Sequence, residues 1–462
     1  MTSKITKSKN EDANNGKTWF EILVILIVSF VSLSAGILMT WPSPFIIQIV
    51  NNKEKYDITE EEASYFTVFN TVGVIVFPPL LTPIVNRFGR KKLLLLTSVF
   101  YMITFIIKAF ARSLWLFYFA RFLNGFGDSI TYTCVVVYIG EITTPKVRGV
   151  WGNAVVWFGF LGQFIINVLG IYFDVTTTSF ICLTIPTFLL IVFPFMPESP
   201  YFYLSKGREE EAKTSLRKLR RKLNIEDEFM RMKTAIEKEE TGSWGDLFKN
   251  KVNRRALVTA MFLRVSQIWC GIFTFGPYIQ LIFQKSGSNL SPELCTIIYT
   301  FVNFLFYSSA AYGSNKLGRR VSLISSLVLT SIVFILEAIY FFIDDYYNII
   351  DLTSLRWFPL VGLMVFLLFS CYGIGTIPFL MPGELFAPSI KAKGVALVIC
   401  IFGLSNFIVN TLFYNLMTTA GLGAPFLFFG ICSIISAIVF YKILPETKNK
   451  TLEEIQIILS KM

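Results

Sequence analysis

Long apolar runs follow one another along most of the chain after residue 18. A helix that crosses a bilayer needs roughly 20 consecutive, mostly apolar residues. The runs are continuous rather than alternating, which favours membrane helices over barrel strands. The pattern therefore predicts an all-α membrane protein with twelve spans, near residues 19–40, 65–85, 93–111, 114–140, 150–172, 179–196, 256–284, 294–315, 321–343, 356–383, 393–417 and 424–444.

Composition agrees with this class and excludes several kinds of chemistry. Of the 462 residues, 54% are hydrophobic and only 16% are charged, against about a quarter charged in soluble domains. The chain has no histidine, which excludes a histidine proton relay or a histidine metal site. Its first 17 residues are polar and lack the apolar core of a signal peptide. The seven cysteines fall mostly inside predicted spans, so we expect no structural disulfides.

The net charge of +11 is distributed in a way typical of membrane proteins rather than of nucleic-acid binders. Positive residues concentrate in alternate loops between the predicted spans, and the loops between them are acidic or nearly uncharged. Lys and Arg mark cytoplasmic loops, so both termini are predicted to be cytoplasmic. The positive loops contain Arg87, Arg90, Lys91, Lys92, Lys146, Arg148, Lys316, Arg319, Arg320, Lys391 and Lys393.

Three loop landmarks occur twice, in the same order. A Gly-Arg motif follows the second and eighth spans, Glu-x-x-x-Pro-x-x-Arg/Lys follows the fourth and tenth, and Pro-Glu follows the sixth and twelfth. This recurrence predicts two pseudo-symmetric six-helix bundles. The predicted organisation is a cytoplasmic tail (1–18), a first bundle (19–197), an intracellular insert (198–255), a second bundle (256–445) and a cytoplasmic tail (446–462).

The insert is strongly charged, with leucine and isoleucine at helix-like spacing. This pattern is typical of short amphipathic helices. Two interpretations stay open: a solvated linker, or a small helical domain that lies against the cytoplasmic ends of both bundles.

Six motifs together carry a family resemblance. They are "NRFGRKK" (86–92), "RFLNGFGDS…YIGEITTPKVRG" (121–149), "PESP" (197–200), "NKLGRR" (315–320), "GIGTIPFLMPGELF" (373–386) and "PETKNKTLEEI" (445–455). Over nearly the whole chain after residue 19 the sequence resembles the sugar-porter branch of the major facilitator superfamily. The "WPSP" at 41–44 is most similar to the insect-type facilitated trehalose transporters.

The resemblance implies a gate at the cytoplasmic helix ends. Opposite charges there can pair between helices and halves when that side closes, and separate when it opens. Orientation by the positive-inside rule is the simpler alternative, but it does not explain the recurring glutamates. The candidate network consists of Arg90, Glu141, Arg148, Glu198, Arg319, Arg320, Glu384, Lys391 and Glu446.

The resemblance also implies a sugar site of amides and one aromatic ring in a central cavity. Gln267 matches the first of two consecutive family glutamines, but Ile268 and Phe273 replace the second glutamine and an asparagine. The lining has therefore lost roughly half of its polar groups. Interhelical hydrogen bonding is the alternative role for the retained amides. The full candidate set is Gln267, Asn303, Gln163, Phe379, Thr376 and Tyr278.

Two charges lie where apolar residues are expected: Asp128 in the fourth span and Arg264 in the seventh. A charge inside a span usually faces a cavity, pairs or snorkels to the interface. Because both spans line the cavity in this superfamily, we expect that Asp128 and Arg264 pair across it. The alternative is that Arg264 snorkels and Asp128 is protonated.

These features favour facilitative transport of a sugar or related polyol, of the hexose or trehalose class, by alternating access. Proton-coupled symport, indicated by Asp128, and a non-transporting sugar sensor are the alternatives. No enzymatic step, cofactor, nucleotide or nucleic acid is expected, and the partners are the solute and the lipid bilayer of the cell membrane. Asn289 begins an Asn-Leu-Ser sequence in a predicted external loop and is a candidate for glycosylation.

Overall fold

The structure is a computed structural model, which describes residues 18–78, 84–85, 87–222, 224–237, 243–287, 289–346, 353–448, 450 and 452–461. The described residues form helices joined by short turns. In chain order the helices are α1 (Trp19–Thr40), α2 (Pro42–Asn51), α3 (Lys53–Tyr56), α4 (Glu60–Val76), α5 (Arg90–Phe110), α6 (Leu114–Ile130), α7 (Val136–Ile142), α8 (Pro145–Trp151), α9 (Ala154–Tyr172), α10 (Val175–Val192), α11 (Pro200–Ser205), α12 (Glu209–Arg220), α13 (Glu226–Glu237), α14 (Trp244–Lys249), α15 (Lys251–Trp269), α16 (Phe275–Lys285), α17 (Pro292–Leu317), α18 (Arg319–Tyr346), α19 (Phe358–Cys371), α20 (Ile377–Leu385), α21 (Pro388–Ala420), α22 (Gly423–Ile443) and α23 (Leu452–Lys461). A π-helical turn, Thr131–Val135, joins α6 to α7.

Helix packing repeats between the two parts of the chain. Among α1–α10, called here the N-half, α1 packs on α9, α4 on α6 and α5 on α10. Among α15–α22, the C-half, α15 packs on α21, α17 on α19 and α18 on α22. These are the same pairs of spans in each half: first with fifth, second with fourth and third with sixth. The halves meet along two related seams, α9 with α17 and α4 with α21.

The α4–α6 contact shows why small residues are needed at the helix crossings. A side chain on Gly125 would overlap the carbonyl oxygen of Asn70 and the backbone of Gly73 on α4. Because lipid tails are as apolar as leucine, membrane helices associate through such close packing rather than through the hydrophobic effect.

The seventh and tenth spans are broken in the middle. The sequence predicted one helix over 256–284, and this is wrong: α15 ends at Trp269 and α16 begins at Phe275. Gly271 has a φ of 81° in the turn between them, a conformation that favours glycine. The tenth span turns at 372–376, and Pro378 then occupies the first helical turn of α20, where its missing N–H is tolerated.

By length and apolar content, seven helical stretches of the described residues can cross a membrane. The broken spans are not among them. Helices α16, α19 and α20 are too short, with 11, 14 and 9 residues, and α15, with 19 residues, carries several charged side chains, including Arg254, Arg255 and Arg264. Large apolar side chains also point outward; Phe195, Tyr172 and Trp115 are 78%, 74% and 73% exposed. An apolar outer surface of this kind fits contact with lipid rather than with water.

The insert forms helices α11 to α14. Leu216, Phe229 and Met232 form a small apolar core of their own, with Tyr201 and Leu204 packed against it. Arg220 then ties this unit to the N-half, because its guanidinium lies 3.0 Å from the Glu21 carboxylate in α1. We call the end of the molecule that carries these helices the insert end.

Candidate substrate site and its gates

The polar residues that the sequence analysis proposed for the site lie at three places: the α9–α17 seam between the halves, the α15–α20 contact within the C-half, and the end opposite the insert. At the first place, the amide of Asn303 on α17 donates to the Gln163 side chain on α9, at 3.5 Å. The Oδ1 of Asn303 has no partner among the described residues. Two predicted site residues are therefore brought together across the halves, and one buried acceptor is left available.

Gln267 is fully buried at the second place. Its amide donates to the carbonyl oxygens of Ile374 and Gly375, both at 3.1 Å, in the turn that breaks the tenth span. Its Oε1 accepts from Arg264 at 2.8 Å. In this conformation Gln267 fixes the broken helix to α15, which is the interhelical role that the sequence left open as the alternative to substrate contact.

Thr376 and Phe379 flank the same break. The Thr376 hydroxyl donates to the Cys371 carbonyl, which satisfies an acceptor that the end of α19 leaves open. Phe379 is 47% exposed. The centre of its ring lies 3.9 Å from the central carbon of the Arg264 guanidinium.

Tyr307 is a site residue that sequence reasoning missed. It follows Asn303 by one helical turn on α17, stacks on Phe160 of α9 with ring centres 4.2 Å apart, and lies against Gly375. It therefore connects the Gln163–Asn303 bond to the turn that Gln267 holds. Its spacing of four residues from Asn303 was the available signal.

Tyr278 lies away from these groups, at the end opposite the insert. Its hydroxyl donates to the Ser64 carbonyl at 3.0 Å and shares a 2.8 Å hydrogen bond with the Thr67 hydroxyl. Lys285 pairs with Glu60 at 2.8 Å nearby. All of these bonds join the C-half to α4 of the N-half, so this end of the molecule is closed.

The motif residues at the insert end repeat one arrangement in each half. Arg90 pairs with Glu141 at 2.8 Å, and Arg319 pairs with Glu384 at 3.3 Å. Arg148 and Lys391 each donate to a carbonyl eight residues earlier, that of Gly140 at 3.2 Å and of Gly383 at 3.0 Å. In each half an arginine pairs with a glutamate, and a basic side chain bonds the carbonyl eight residues before it.

The two Pro-Glu glutamates complete the repeat. Glu198 accepts from the Lys91 backbone N–H, at 3.1 and 3.2 Å. Glu446 accepts from the backbone N–H groups of Arg319 and Arg320, both at 3.0 Å. Each carboxylate thus caps the first turn of a helix, where the macrodipole favours negative charge.

In the described residues these motif bonds join groups of the same half. The prediction that they pair between halves concerns another conformation and stays a prediction. Where the halves approach, like charges face one another, because Arg148 of the N-half lies near Lys391 of the C-half. In this conformation, hydrogen bonds and an ion pair join the two halves at the closed end. The motif contacts described at the insert end lie within one half each.

The expected pairing of Asp128 with Arg264 is wrong for this conformation. Asp128 accepts from the Tyr101 hydroxyl at 2.9 Å and from the amides of Asn70 and Asn124 at 3.0 and 3.1 Å. These three donors satisfy the carboxylate within the N-half, next to the π-helical turn. The Arg264 guanidinium instead bonds Gln267 and lies over two aromatic rings.

Matched helix pairs, two seams and broken cavity-lining spans define a polytopic membrane transporter built for alternating access. Family comparison makes the assignment specific: residues 22–459 match the model described as "Sugar (and other) transporter", and the chain belongs to that family. The predicted fold class and family resemblance are confirmed.

Similar proteins agree over nearly the full length. The chain is 31% identical to "Facilitated trehalose transporter Tret1" of Bombyx mori, covering 98% of this chain and 91% of that protein. It is 30% identical to the protein of the same name from Polypedilum vanderplanki, covering 94% and 87%.

Two solved structures share the fold. The proton:xylose symporter XylE bound to 6-bromo-6-deoxy-D-glucose superimposes with a TM-score of 0.76 at 19% identity, over 96% of this chain and 100% of that one. The inward-open form of XylE from E. coli gives 0.75 at 19% identity, over 94% and 99%. At 19% sequence identity, this structural similarity shows the fold alone, which is that of the major facilitator superfamily.

Proposed function

We propose that the protein moves a sugar or related polyol, of the hexose or trehalose class, across the cell membrane by facilitated alternating access. The observation that carries this proposal is the Gln163–Asn303 bond, where an unsatisfied acceptor and two amides from opposite halves meet at a helix seam. Hydroxyl groups need such donors and acceptors at fixed positions. The relatives named as facilitated trehalose transporters support the same class.

The contacts at the closed end and at the insert end fit a rocking motion of the two halves. Breaking the Tyr278 and Lys285 bonds to α4 frees the closed end. Each half keeps its own motif bonds at the insert end and can move as a rigid body. A solute held between Gln163 and Asn303 would then meet one side of the membrane at a time.

The loss of polar groups from the predicted site lowers the expected affinity for a sugar. Each missing amide hydrogen bond weakens hydroxyl recognition by about 1 kcal/mol, so four or five losses relative to the family pattern change affinity by several decades. The candidate contacts are Gln163, Asn303, Thr376 and Phe379; Tyr278 lies at the closed end, and Gln267 contacts a solute only where its bonds to the tenth span open. Glucose need not be the preferred solute.

Uptake by purified protein in proteoliposomes tests the proposal. We expect saturable entry of at least one radiolabelled solute from a panel of hexoses, trehalose and polyols. Asn303→Ala should reduce that uptake, whereas Asn415→Ala, which changes an exposed amide, should not. A flat response across the panel from folded protein would reject the sugar assignment.

Proton coupling is the second candidate, favoured by the buried carboxylate of Asp128. If it operates, an acidic outside accelerates uptake and drives accumulation beyond equilibrium. Asp128→Asn then abolishes accumulation but leaves equilibrating exchange. Uptake that is independent of pH and stops at equilibrium would exclude coupling.

Topology follows the positive-inside rule in our proposal. We keep the predicted domain boundaries as part of this proposal, with both termini and the insert in the cytoplasm and the closed end facing outward. Asn289 is exposed in the loop before α17 at that end. A glycosidase-sensitive mobility shift that disappears in Asn289→Gln would support both its modification and this orientation, whereas modification at a site on the insert would contradict the orientation.

A further inference from the structure

Arg264 is a buried cation that has no anionic partner in the part of the chain that the structure describes. Its side chain lies in α15, the residue is 9% exposed, and one guanidinium nitrogen donates to Gln267 at 2.8 Å. Its Nε has no partner among the described residues, and it takes no part in their ion pairs. A buried charge is costly unless it is paired and hydrogen-bonded, so this site lacks a charge that would complete it.

Aromatic rings hold the guanidinium in place. The ring of Phe379 is 3.9 Å from its central carbon, and that of Phe402 is 5.1 Å away. Phe402 in turn contacts Phe273 and Tyr132, with ring centres 5.3 and 6.0 Å apart. Stacking engages the face of a guanidinium and leaves its in-plane N–H donors free for an acceptor.

The surroundings of Arg264 are partly exposed and reach the boundary between the two halves. Phe379 remains 47% exposed beside Arg264, so the ring borders accessible space. Tyr132 belongs to the N-half, which places the guanidinium at the meeting of the two halves. Asp128 is already satisfied by three donors of its own half.

We propose that Arg264 binds the carboxylate of the transported solute, so that the substrate is a sugar acid rather than a neutral sugar. This inference rests on the proposed function, because Gln163 and Asn303 would still bind the hydroxyl groups. Charge-assisted hydrogen bonds are roughly twice as strong as neutral ones. One guanidinium–carboxylate contact therefore offsets part of what the missing amides no longer provide.

The matched pair D-glucuronate and D-glucose tests this inference, since the two differ only by a carboxylate in place of the CH₂OH group. Uptake is measured in proteoliposomes with the membrane potential held at zero by potassium and valinomycin, because the anion carries charge. We expect glucuronate to be preferred at least about tenfold in kcat/KM. Arg264→Gln should lower the ratio of the two kcat/KM values, glucuronate over glucose, to below about threefold.

Two controls separate charge recognition from folding. Arg254→Gln removes one positive charge from an exposed position of the same helix and should leave the preference intact. If Arg264→Gln does not fold, wild-type protein is tested for thermal stabilisation by glucuronate, by glucose and by chloride. Stabilisation by glucuronate alone supports the inference.

The remaining outcomes distinguish the two proposals. Glucose uptake without a preference for glucuronate, or equal loss of both in Arg264→Gln, would overturn the role of Arg264 and leave sugar transport standing. No uptake of either solute, or of any other in the panel, would overturn the proposed function and this inference with it. Equal stabilisation by glucuronate and chloride would also overturn the assignment, because it would show only a general anion effect.

Discussion

The hydroxyl of Tyr278 holds the closed end, and removing it should shift the conformational equilibrium. The hydroxyl bonds Ser64 and Thr67 across the halves, at 3.0 and 2.8 Å, in a residue that is 1% exposed. A typical hydrogen bond contributes about 0.5–1.5 kcal/mol net. Because the Thr67 hydroxyl also lies 3.0 Å from the Ser64 carbonyl, it can donate to that carbonyl in Tyr278→Phe and leave it satisfied. We therefore expect a loss of about 1–2 kcal/mol from the closed state, or about 5–30-fold in the ratio of the two states.

Reaction of a reporter thiol measures this change. Val68→Cys places the thiol in the seam beside Tyr278, in a background in which the seven native cysteines are replaced. A bulky maleimide reaches it only when the closed end opens. The labelling rate should rise about 5–30-fold in Tyr278→Phe.

Tyr414→Phe is the matched control, because Tyr414 lines the same seam but its hydroxyl makes no hydrogen bond within the described residues. Its labelling rate should stay within about twofold of wild type, the scatter of a few tenths of a kcal/mol expected for a change without a lost contact. Equal rates in wild type and both variants would refute a gating role for Tyr278.

Three further predictions concern packing and buried charge. Gly125→Ala should lower stability in detergent by about 1–3 kcal/mol, because the added methyl group overlaps α4, whereas Gly140→Ala, with a nearest neighbour 4.0 Å away, should leave the melting temperature unchanged. Arg220→Met leaves a buried carboxylate in α1 unpaired, which typically costs about 3–5 kcal/mol; limited proteolysis should then cut the insert faster, and an unchanged pattern would contradict its docking. A double-mutant cycle of Asp128→Asn and Arg264→Gln should show a coupling energy below about 0.5 kcal/mol in thermal unfolding, and a larger value would restore the pair that this conformation lacks.

Apolar patterning and repeated motifs were enough to predict the helical class, the internal repeat and the family, because span length and loop charge are set by the bilayer itself. The break in the seventh span was missed. Its residues are as apolar as a helix, and the turn depends on the single positive φ of Gly271. Local composition cannot distinguish such a turn from a continuous span.

The hydrogen-bond partners of Asp128 also could not be predicted from the sequence. Its donors Asn70 and Tyr101 come from α4 and α5, and only the helix crossings decide which side chains meet. Conformational state is a further limit, since one sequence specifies both the inward and the outward arrangement. The candidate gate residues were proposed from their motifs, but which end of the molecule is closed required the structure.

The central claim is that the two halves carry a sugar-class solute by alternating access, and counterflow tests it most directly. Proteoliposomes are loaded with a millimolar concentration of whichever unlabelled solute gives the highest uptake in the panel of hexoses, trehalose, polyols and D-glucuronate. They are then diluted into tracer of the same solute without any ion gradient. If alternating access operates, tracer accumulates transiently above equilibrium and then decays as the internal pool empties. This overshoot should be smaller in Asn303→Ala. Folded protein that equilibrates the tracer without an overshoot, or that passes no tracer at all, would contradict the account.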